Sequence, residues 1–393
     1  MKKDYKKLKI LELPSWYIPD GGEFVQEQSL ALRKAGMEVA IAANVALSWK
    51  KYKWSIIKFP HREFSIYEKD LLTYRYYMRR RPMSEKHNVE KWIRKTLFVC
   101  EEYIKEQGLP DILHVHSALW AGYVAAILKE KYGIPYVITE HRGRFSEKSQ
   151  LNETQIAEMD RGRLERAFSN ADHIIAVSSL LIKKIKSYCL CEVPISVISN
   201  LLHTDSFPYT ERHPHEKFRF ICVNHYEHLK GQDLLIRAFD KLCEHRPECE
   251  LCLVGRNFSK KSFQKILSTL KHKDKIIFTG PLPQEKVSTE LQQADAFVLP
   301  SRIEAEPIAV LEAMSTGLPV VATEVVPSEV VTPAVGFLVP VEDIDALAEA
   351  LDKMIAHYTT FQPSEIATYV RTLASQESVI PQLLNIFNSV LHD

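Results

Sequence analysis

The sequence lacks several features that identify whole classes of protein. It contains no run of 18 apolar residues, so no transmembrane helix is expected. Its net charge is +1, and so small a value gives no sign of nucleic acid or of a strongly acidic partner. The basic N-terminus leads into a short apolar strand, not into the long apolar region of a secretory signal peptide. These absences together predict a cytoplasmic protein.

Cysteine is scarce as well. The chain has seven cysteines among 393 residues, an odd number spread over its whole length. That distribution is typical of reduced cytoplasmic thiols and argues against a disulfide framework. No Asp-x-Asp run is placed to hold a divalent metal, and we expect no metal or other cofactor. The length suggests two or three domains.

Apolar strands alternate with amphipathic helices along the chain, which predicts parallel sheets built from βαβ units. In the first half we expect helices at 24–34 and 122–131 and strands at 8–13, 38–43, 112–116, 135–139, 173–177 and 195–198. A polar stretch without periodicity, about 202–216, predicts an interdomain linker. The pattern then restarts, with a helix at 231–244 and strands at 218–223, 250–254, 276–279, 296–299 and 319–322. A final amphipathic helix is expected at about 378–391.

Two glutamates, Glu304 and Glu312, stand eight positions apart after the apolar run that ends at Pro300. Pro307 suits the first turn of a helix and Gly317 suits its end, so Glu304 should precede the helix and Glu312 should lie inside it. Ligands of open α/β sheets bind at the carboxyl ends of strands, where helix N-termini attract phosphate. A carboxylate there can also accept hydrogen bonds from sugar hydroxyls, and the combination suits a nucleotide-sugar.

The glutamate pair and its flanks closely resemble the signature of the retaining GT-B glycosyltransferases of family 4. In that family Glu, seven residues and a second Glu are followed by Ala-Met and then by Gly-Leu-Pro-Val-Val, as they are here. The resemblance implies an α/β fold of two Rossmann-like, doubly wound parallel-sheet domains that face each other across a cleft. It places an acceptor-side domain at 1–205, joined by a crossover helix at 378–393, and a nucleotide-sugar domain at 206–377.

The resemblance also implies roles for single residues. Glu304 would hold hydroxyls of the donor sugar and Glu312 the ribose, while Lys230 matches the lysine that the family aims at the diphosphate. The family's usual Gly-Arg is replaced by Asn224-His225, so His225 or Arg256 would assist Lys230. The remaining donor-side residues that the resemblance indicates are Gly22, Asn224, Gly280, Leu282, Ile308 and Ala309.

Three stretches of the first half resemble the acceptor side of the same family. Gly21 and Gly22 lie between a strand and a helix, where glycine lets the backbone approach a ligand closely. His116 ends one predicted strand and His141 follows another. In the family the histidine that corresponds to His116 contacts the donor sugar or the reaction centre, and we include it with Glu304 and Lys230 among the catalytic candidates.

The segment 50–95 has an unusual composition. It carries 14 Lys and Arg against 5 Asp and Glu, interleaved with Trp, Tyr and Phe. One interpretation is a patch for an anionic membrane surface or a lipid-linked acceptor. The other is a solvated insertion that covers the N-terminal sheet. Basic and aromatic residues also suit nucleic acid, but the rest of the chain does not support that partner.

We therefore predict a metal-independent, retaining glycosyltransferase of the hexosyltransferase type. It would move a sugar from a UDP- or GDP-sugar to a hydroxyl of a sugar or lipid-linked acceptor, in the assembly of surface polysaccharide, lipopolysaccharide or glycolipid. The expected location is the cytoplasm, including the inner face of the cell membrane. A catalytically silent GT-B protein that binds sugar nucleotides as a scaffold is the alternative. A GT-B epimerase or phosphorylase would need a carboxylate set or a cofactor lysine that the sequence does not show.

Overall fold

The computed structural model describes residues 7–82, 84–147, 158–211 and 216–392, and of residues 158 and 159 only the backbone. The chain forms two compact units. The first unit consists of residues 1–142, 152–201 and 379–393, and the second of residues 143–151 and 202–378. Of the predicted basic N-terminus and linker, residues 1–6 and 212–215 lie outside the described residues.

The first unit is built on an eight-stranded sheet of order β3-β4-β2-β1-β5-β6-β7-β8. Every pairing is parallel except that of β3 with β4. The strands are β1 (Lys9–Pro14), β2 (Glu38–Leu47), β3 (Arg62–Glu68), β4 (Leu71–Arg79), β5 (Ile112–His116), β6 (Tyr136–Glu140), β7 (His173–Ala176) and β8 (Ile195–Val197).

Helices α1 (Glu23–Lys34), α2 (Trp49–Tyr52), α3 (Glu85–Gln107), α4 (Tyr123–Tyr132), α5 (Glu158–Ser169) and α6 (Ile182–Lys186) belong to this unit. Burial on both faces explains why the central strands are almost wholly apolar. Glu12, in the middle of β1, is a charged exception that is fully buried.

The second unit contains a six-stranded parallel sheet of order β11-β10-β9-β12-β13-β14. Its strands are β9 (Phe218–Val223), β10 (Cys249–Val254), β11 (Ile276–Gly280), β12 (Ala296–Leu299), β13 (Val320–Thr323) and β14 (Gly336–Val339). Its helices are α7 (Gln232–Cys243), α8 (Lys261–Leu267), α9 (Gln284–Gln292), α10 (Ile308–Ser315), α11 (Ile344–Ala356) and α12 (Pro363–Ala374). The predicted α/β class with two doubly wound parallel sheets is confirmed.

The last helix, α13 (Gln376–His392), returns the chain to the first unit. Its apolar residues from Val379 to Phe387 are buried in the core of that unit. The ring of Phe387 meets the ring of His114 edge-on, with their centroids 5.1 Å apart. This helix therefore covers one face of the sheet at His114 of β5.

The segment 50–95 extends the first sheet instead of covering it. Strand β4 pairs in parallel with β2, and β3 adds an antiparallel edge strand. Arg75 of β4 is buried and donates to Glu63 and Glu68 of β3. The following helix, α3, packs on β2 and β4. The basic composition of this segment gave no sign of buried strands. The reason is that the charge of the buried Arg75 is balanced by carboxylates on the neighbouring strand β3.

No helix in the described part of the chain is long and apolar enough to cross a membrane.

Candidate active site

The order of strands reverses once in the sheet of the second unit. From β9 the chain moves outward to β10 and β11, and then returns to place β12 on the other side of β9. The carboxyl ends of β9 and β12 therefore border the crevice at which open α/β sheets bind ligands. Lys230 follows β9 and Glu304 follows β12, so the topology brings these two predicted residues to one place.

The Lys230 ammonium and the Glu304 carboxylate form an ion pair there. Lys230 Nζ donates to Glu304 Oε1 over 2.8 Å, and Ser301 Oγ donates to the same oxygen over 2.7 Å. The Glu304 side chain is buried, whereas that of Lys230 is about one third exposed. The lysine can therefore exchange this partner for an anionic ligand that enters from solvent, and Glu304 would then be freed to accept other hydrogen bonds.

Gly231 makes the approach of the two loops possible. It has φ of 67°, and a Cβ atom on it would lie 1.8 Å from the carbonyl oxygen of Pro300. Only glycine tolerates both the left-handed backbone and this contact with the end of β12. The Lys-Gly pair in the sequence is thus explained, since the residue after Lys230 must lie against the strand that leads to Glu304.

A buried arginine ties the same loops together. Arg302 donates two hydrogen bonds to Asp233, of 2.8 and 2.9 Å, and others to the carbonyl of His228 and the carboxylate of Glu342. Its backbone amide also donates to the carbonyl of Leu229 over 2.8 Å. Burial acts to raise the pKa of Asp233, but the hydrogen bonds and charge of Arg302 outweigh it and lower that pKa. Arg302 therefore fixes the position of the Lys230 loop.

His225 and Arg256 form a second pair at the carboxyl ends of β9 and β10. Arg256 Nε donates to His225 Nε2 over 2.9 Å. Partial burial and the neighbouring charge of Arg256 lower the pKa of His225. The imidazole is therefore a neutral acceptor that orients the arginine, and Arg256 carries the positive charge. Both side chains are exposed.

The other donor-side candidates lie around the same edge of this sheet. Asn224 directly follows β9, and its carbonyl accepts from Gln232 over 3.4 Å. Gly280 ends β11, and its carbonyl accepts from the amide of Gly255 over 3.0 Å. Leu282, Ile308 and Ala309 are partly buried against the core of the unit. Glu312 lies within α10 as predicted, and its side chain is partly buried.

The sheet of the first unit has its own reversal of strand order, between β1 and β5. The loop after β1 carries Gly21 and Gly22, and β5 ends at His116. Gly22 has φ of 87°, and a Cβ atom on it would lie 2.6 Å from the carbonyl oxygen of Trp16. Gly22 also caps α1, so the loop is held tightly against the end of β1.

His116 belongs to a chain of buried hydrogen bonds that the sequence does not reveal. Glu12 Oε2 lies 2.7 Å from His116 Nε2 and 2.9 Å from His114 Nδ1. His116 Nδ1 is 3.1 Å from His141 Nε2, and His141 Nδ1 is 2.8 Å from the side chain of Asn200. The structure therefore joins His116 and His141, which the sequence presented as separate candidates.

The burial of this chain determines its charges. Burial acts to raise the pKa of Glu12, but the charges and hydrogen bonds of His114 and His116 lower it to about 2. Burial, reinforced by the charge of His114, lowers the pKa of His116. Burial, reinforced by the charge of His116, lowers that of His141 further. At neutral pH, therefore, the carboxylate is ionised and the imidazoles of His116 and His141 are neutral.

Among the described residues, Glu12, His114 and His116 form the one set of side chains with metal-ligand types close enough to share an ion. Carboxylate and imidazole are ligands that zinc accepts. However, His116 Nε2 and Glu12 Oε2 are hydrogen-bonded at 2.7 Å, whereas two ligand atoms of one zinc ion stand farther apart. We therefore describe the set as a hydrogen-bonded network.

Aromatic side chains line the exposed side of this network. The ring of Phe24 lies 4.5 Å from that of His141 and 5.8 Å from that of Trp16. The Arg142 guanidinium lies over the Trp16 ring at 4.7 Å. Both aromatic side chains are partly exposed. Faces of this kind suit the apolar side of a sugar ring, and nothing in the sequence around Trp16 and Phe24 singled them out.

A basic–aromatic surface lies elsewhere on the first unit, at residues 49–58 and 80–81. Trp54 and Ile57 are 75% and 70% exposed, and Trp49 packs edge-on against Trp54. A cavity of about 600 Å³ beside Trp49 is lined by Lys50, Arg80 and other residues. Large apolar side chains among exposed lysines and arginines are unusual on a surface that contacts only water.

Comparison with known proteins agrees with this architecture. The family described as "Glycosyltransferase Family 4" matches residues 21–206, and that described as "Glycosyl transferases group 1" matches residues 205–366. Two glycosyltransferase family models therefore match the two halves of the chain. The chain is 27% identical over 331 residues to the putative teichuronic acid biosynthesis glycosyltransferase TuaC of Bacillus subtilis (strain 168), with 79% of each chain covered.

Solved structures share the GT-B fold over almost the whole chain. Sucrose-phosphate synthase from Thermosynechococcus elongatus has a TM-score of 0.78 at 19% identity, with 98% of this chain and 99% of that one covered. Anabaena HepE in complex with UDP and glucose has a TM-score of 0.71 at 17% identity, with 97% and 100% covered. At these identities the likeness establishes the fold alone and leaves the activity and the substrates to be argued from the residues of this chain.

Sequence reasoning missed several residues of the two sites. Arg302 and Ser301 directly follow β12, and their position at a strand end was a usable signal. Glu12 was the clearest one, because a carboxylate in the middle of an apolar strand needs a buried partner. The partners themselves lie 102 and 104 residues farther along the chain, so no local pattern identifies them.

Proposed function

We propose that the protein transfers a hexose, with retention of anomeric configuration, from a UDP- or GDP-sugar to a hydroxyl of a sugar or lipid-linked acceptor. The ion pair of Lys230 and Glu304 at the strand-order reversal of the second unit is the observation that carries this proposal. It places a cation and a hydrogen-bond acceptor side by side where an α/β sheet binds nucleotides. The match to two glycosyltransferase families supports the same reaction class.

The donor would occupy the second unit. The donor diphosphate would replace Glu304 as the ion-pair partner of Lys230. Arg256, oriented by His225, would supply a second positive charge. Glu304 would then accept hydrogen bonds from sugar hydroxyls and Glu312 from the ribose. Asn224, Gly280, Leu282, Ile308 and Ala309 would line the nucleotide and the sugar.

We propose that the reaction needs no divalent metal. The leaving nucleoside diphosphate gains negative charge in the transition state, and cations already in place stabilise that charge. Lys230, which is partly buried, and Arg256, which is exposed, provide two of them. In a retaining transfer the leaving phosphate oxygen can itself take the proton of the acceptor hydroxyl, so an additional base on the second unit is not required.

The acceptor would bind to the first unit, at the Gly21-Gly22 loop and the side chains of His116 and His141. His116 is nearly inaccessible, at 1% exposure, so it would act through His141, which is partly exposed. TuaC, by its name, acts in teichuronic acid biosynthesis. By similarity we propose that the product here also enters a surface polysaccharide, lipopolysaccharide or glycolipid.

We further propose that the basic–aromatic surface binds an anionic membrane from the cytoplasmic side. Trp54 and Ile57 would enter the headgroup region, while the lysines around them would contact anionic lipids. Sedimentation with anionic and neutral vesicles tests this. We expect binding to anionic vesicles only and its loss in Trp54→Ser/Ile57→Ser. Tyr67→Ser, on β3 and equally exposed, is the matched control; equal loss there would contradict the proposal.

The transfer proposal is tested by incubating the purified protein with UDP-, GDP-, ADP- and dTDP-sugars and measuring nucleotide release, with and without EDTA. We expect slow hydrolysis of one donor, unaffected by EDTA. Glu304→Gln and Lys230→Met should lower that rate by roughly 100-fold or more, since each removes a charged contact to the reacting groups. Glu285→Gln and Lys286→Met, exposed on α9, are matched controls and should leave the rate unchanged.

Donor binding without release, even with acceptor glycans present, would favour the silent scaffold over the enzyme. A release that EDTA abolishes and Mg²⁺ restores would contradict metal independence while leaving the transferase reaction in place.

A further inference from the structure

The buried network of the first unit contains one group, Glu12, that dictates the state of the others. Its Oε2 atom lies within hydrogen-bond distance of ring nitrogens on both His114 and His116. An ionised carboxylate can only accept hydrogen bonds. The nitrogen of His116 that is hydrogen-bonded to it, Nε2 at 2.7 Å, must therefore carry a proton.

The proton on Nε2 of His116 determines which nitrogens of the next side chains carry protons. A neutral imidazole has one protonated nitrogen, so the Nδ1 atom of His116 is left without a proton and must accept. Its neighbour at 3.1 Å, Nε2 of His141, then has to donate. The remaining nitrogen of His141, Nδ1, is in turn a bare acceptor. The state of His141 is thus fixed by a carboxylate that it does not touch.

Asn200 is the next side chain in this sequence of donors and acceptors. Its side chain lies 2.8 Å from His141 Nδ1, with the oxygen placed toward the ring. An oxygen there would require a proton on Nδ1 as well, and hence a charged imidazole, which the burial of His141 opposes. The nitrogen and oxygen of an amide have nearly the same shape, so an Asn200 amide turned by half a rotation would present its NH₂ group to His141 and donate.

We infer that Glu12 is a positioning residue that fixes the tautomers of His116 and His141 and so presents an unprotonated Nδ1 atom of His141 at the acceptor side of the enzyme. Ring contacts hold the three imidazoles in place. Phe387 of α13 covers His114, and Phe24 of α1 holds His116 and His141 by edge and tilted ring contacts. The outer nitrogen of His114, Nε2, lies 2.8 Å from Thr139 Oγ1.

The functional consequence rests on the proposed transfer reaction. An acceptor hydroxyl that displaces the Asn200 amide would donate its hydrogen bond to His141 Nδ1, which fixes the direction of the oxygen lone pairs. His141 would then orient the hydroxyl without taking its proton, which leaves with the phosphate oxygen of the donor.

The test is ¹H–¹⁵N NMR of histidine-labelled full-length protein at neutral pH. In the wild type, His116 and His141 should both show a proton on Nε2 and none on Nδ1. In Glu12→Gln, a side chain of the same shape that can also donate, we expect His116 and His141 both to lose this single pattern. Asp111→Asn is the matched control, because Asp111 accepts from the amide of Lys9 at the opposite end of the same strand pair, and it should preserve the pattern.

A kinetic measurement complements the spectra. Glu12→Gln should lower kcat by about 10- to 100-fold while the KM of the donor stays within about twofold, because the donor is bound by the second unit. Circular dichroism verifies that the variant is folded, and the tautomer readout needs no activity. If the wild type turns over no donor, the proposed function fails, whereas the tautomer assignment is judged on the spectra alone.

Three results would overturn the inference. One is a wild-type His116 with its proton on Nδ1, and another is a Glu12→Gln protein with unchanged tautomers. The third is one equivalent of zinc in the purified protein that disappears in Glu12→Gln, because a metal ion would then hold the same three side chains.

Discussion

The close contact between Gly231 and the Pro300 carbonyl in the proposed donor site leads to a specific prediction about stability. In Gly231→Ala the new Cβ atom would lie 1.8 Å from the Pro300 carbonyl oxygen, about half the ordinary contact distance. The left-handed backbone costs alanine roughly 1 kcal/mol. Relief of the overlap adds about 1–3 kcal/mol, as for other overpacked sites. We therefore expect the free energy of unfolding to fall by roughly 2–4 kcal/mol.

Gly280→Ala is the matched control in the same unit. Gly280 has nearly the same φ, 73°, but no atom lies within 4 Å of the position that its Cβ atom would occupy. Gly280→Ala should therefore lower the free energy of unfolding only by the backbone cost, about 1 kcal/mol. Urea unfolding followed by circular dichroism measures both variants. Equal destabilisation would refute the argument, because it would show that the Pro300 contact contributes nothing beyond backbone strain.

Three further predictions concern charge. Arg302→Met should destabilise the protein by about 3–5 kcal/mol, since it leaves the Asp233 carboxylate buried without its partner. Arg237→Met, exposed on α7, should cost far less in the same urea experiment, and similar losses would contradict this role. Acidification from pH 7 to pH 5 should lower the stability of the first unit, because burial lowers the pKa values of His116 and His141, so the unfolded chain binds protons that the folded one does not. Urea midpoints across this range should fall with pH, less so in His116→Gln/His141→Gln; a rise on acidification would be inconsistent with neutral buried imidazoles. Arg256→Met should weaken nucleotide binding by about 10-fold or more by calorimetry, and an unchanged affinity would remove Arg256 from the diphosphate site.

The sequence was sufficient for the features that follow from strand order. Strand ends such as Pro300 and Val223 were visible as apolar runs, and parallel strands place their carboxyl ends at one edge. The meeting of Lys230 and Glu304 could therefore be predicted without any coordinates. Helix α10 also runs between Pro307 and Gly317, as their backbone preferences indicate.

Features that depend on distant partners could not be predicted. Strand β4 alternates tyrosine with a buried Arg75, whose carboxylate partners lie on β3, and its sequence resembles a solvated segment until the two strands are paired. Arg302 likewise depends on Asp233, 69 residues earlier. The sequence named both His225 and Arg256 as possible partners of the diphosphate, but their mutual contact depends on the pairing of two strands.

The most direct test of the central claim is calorimetric titration of UDP, GDP, ADP and dTDP into the protein in the presence of EDTA. The account predicts that one nucleotide binds without metal and that Lys230→Met weakens it about 10- to 100-fold, the loss of a charge-assisted hydrogen bond. The Lys286→Met control should bind as the wild type does. Absence of binding by every nucleotide, or equal affinity in Lys230→Met, would contradict the assignment of this edge of the second sheet to a sugar-nucleotide donor.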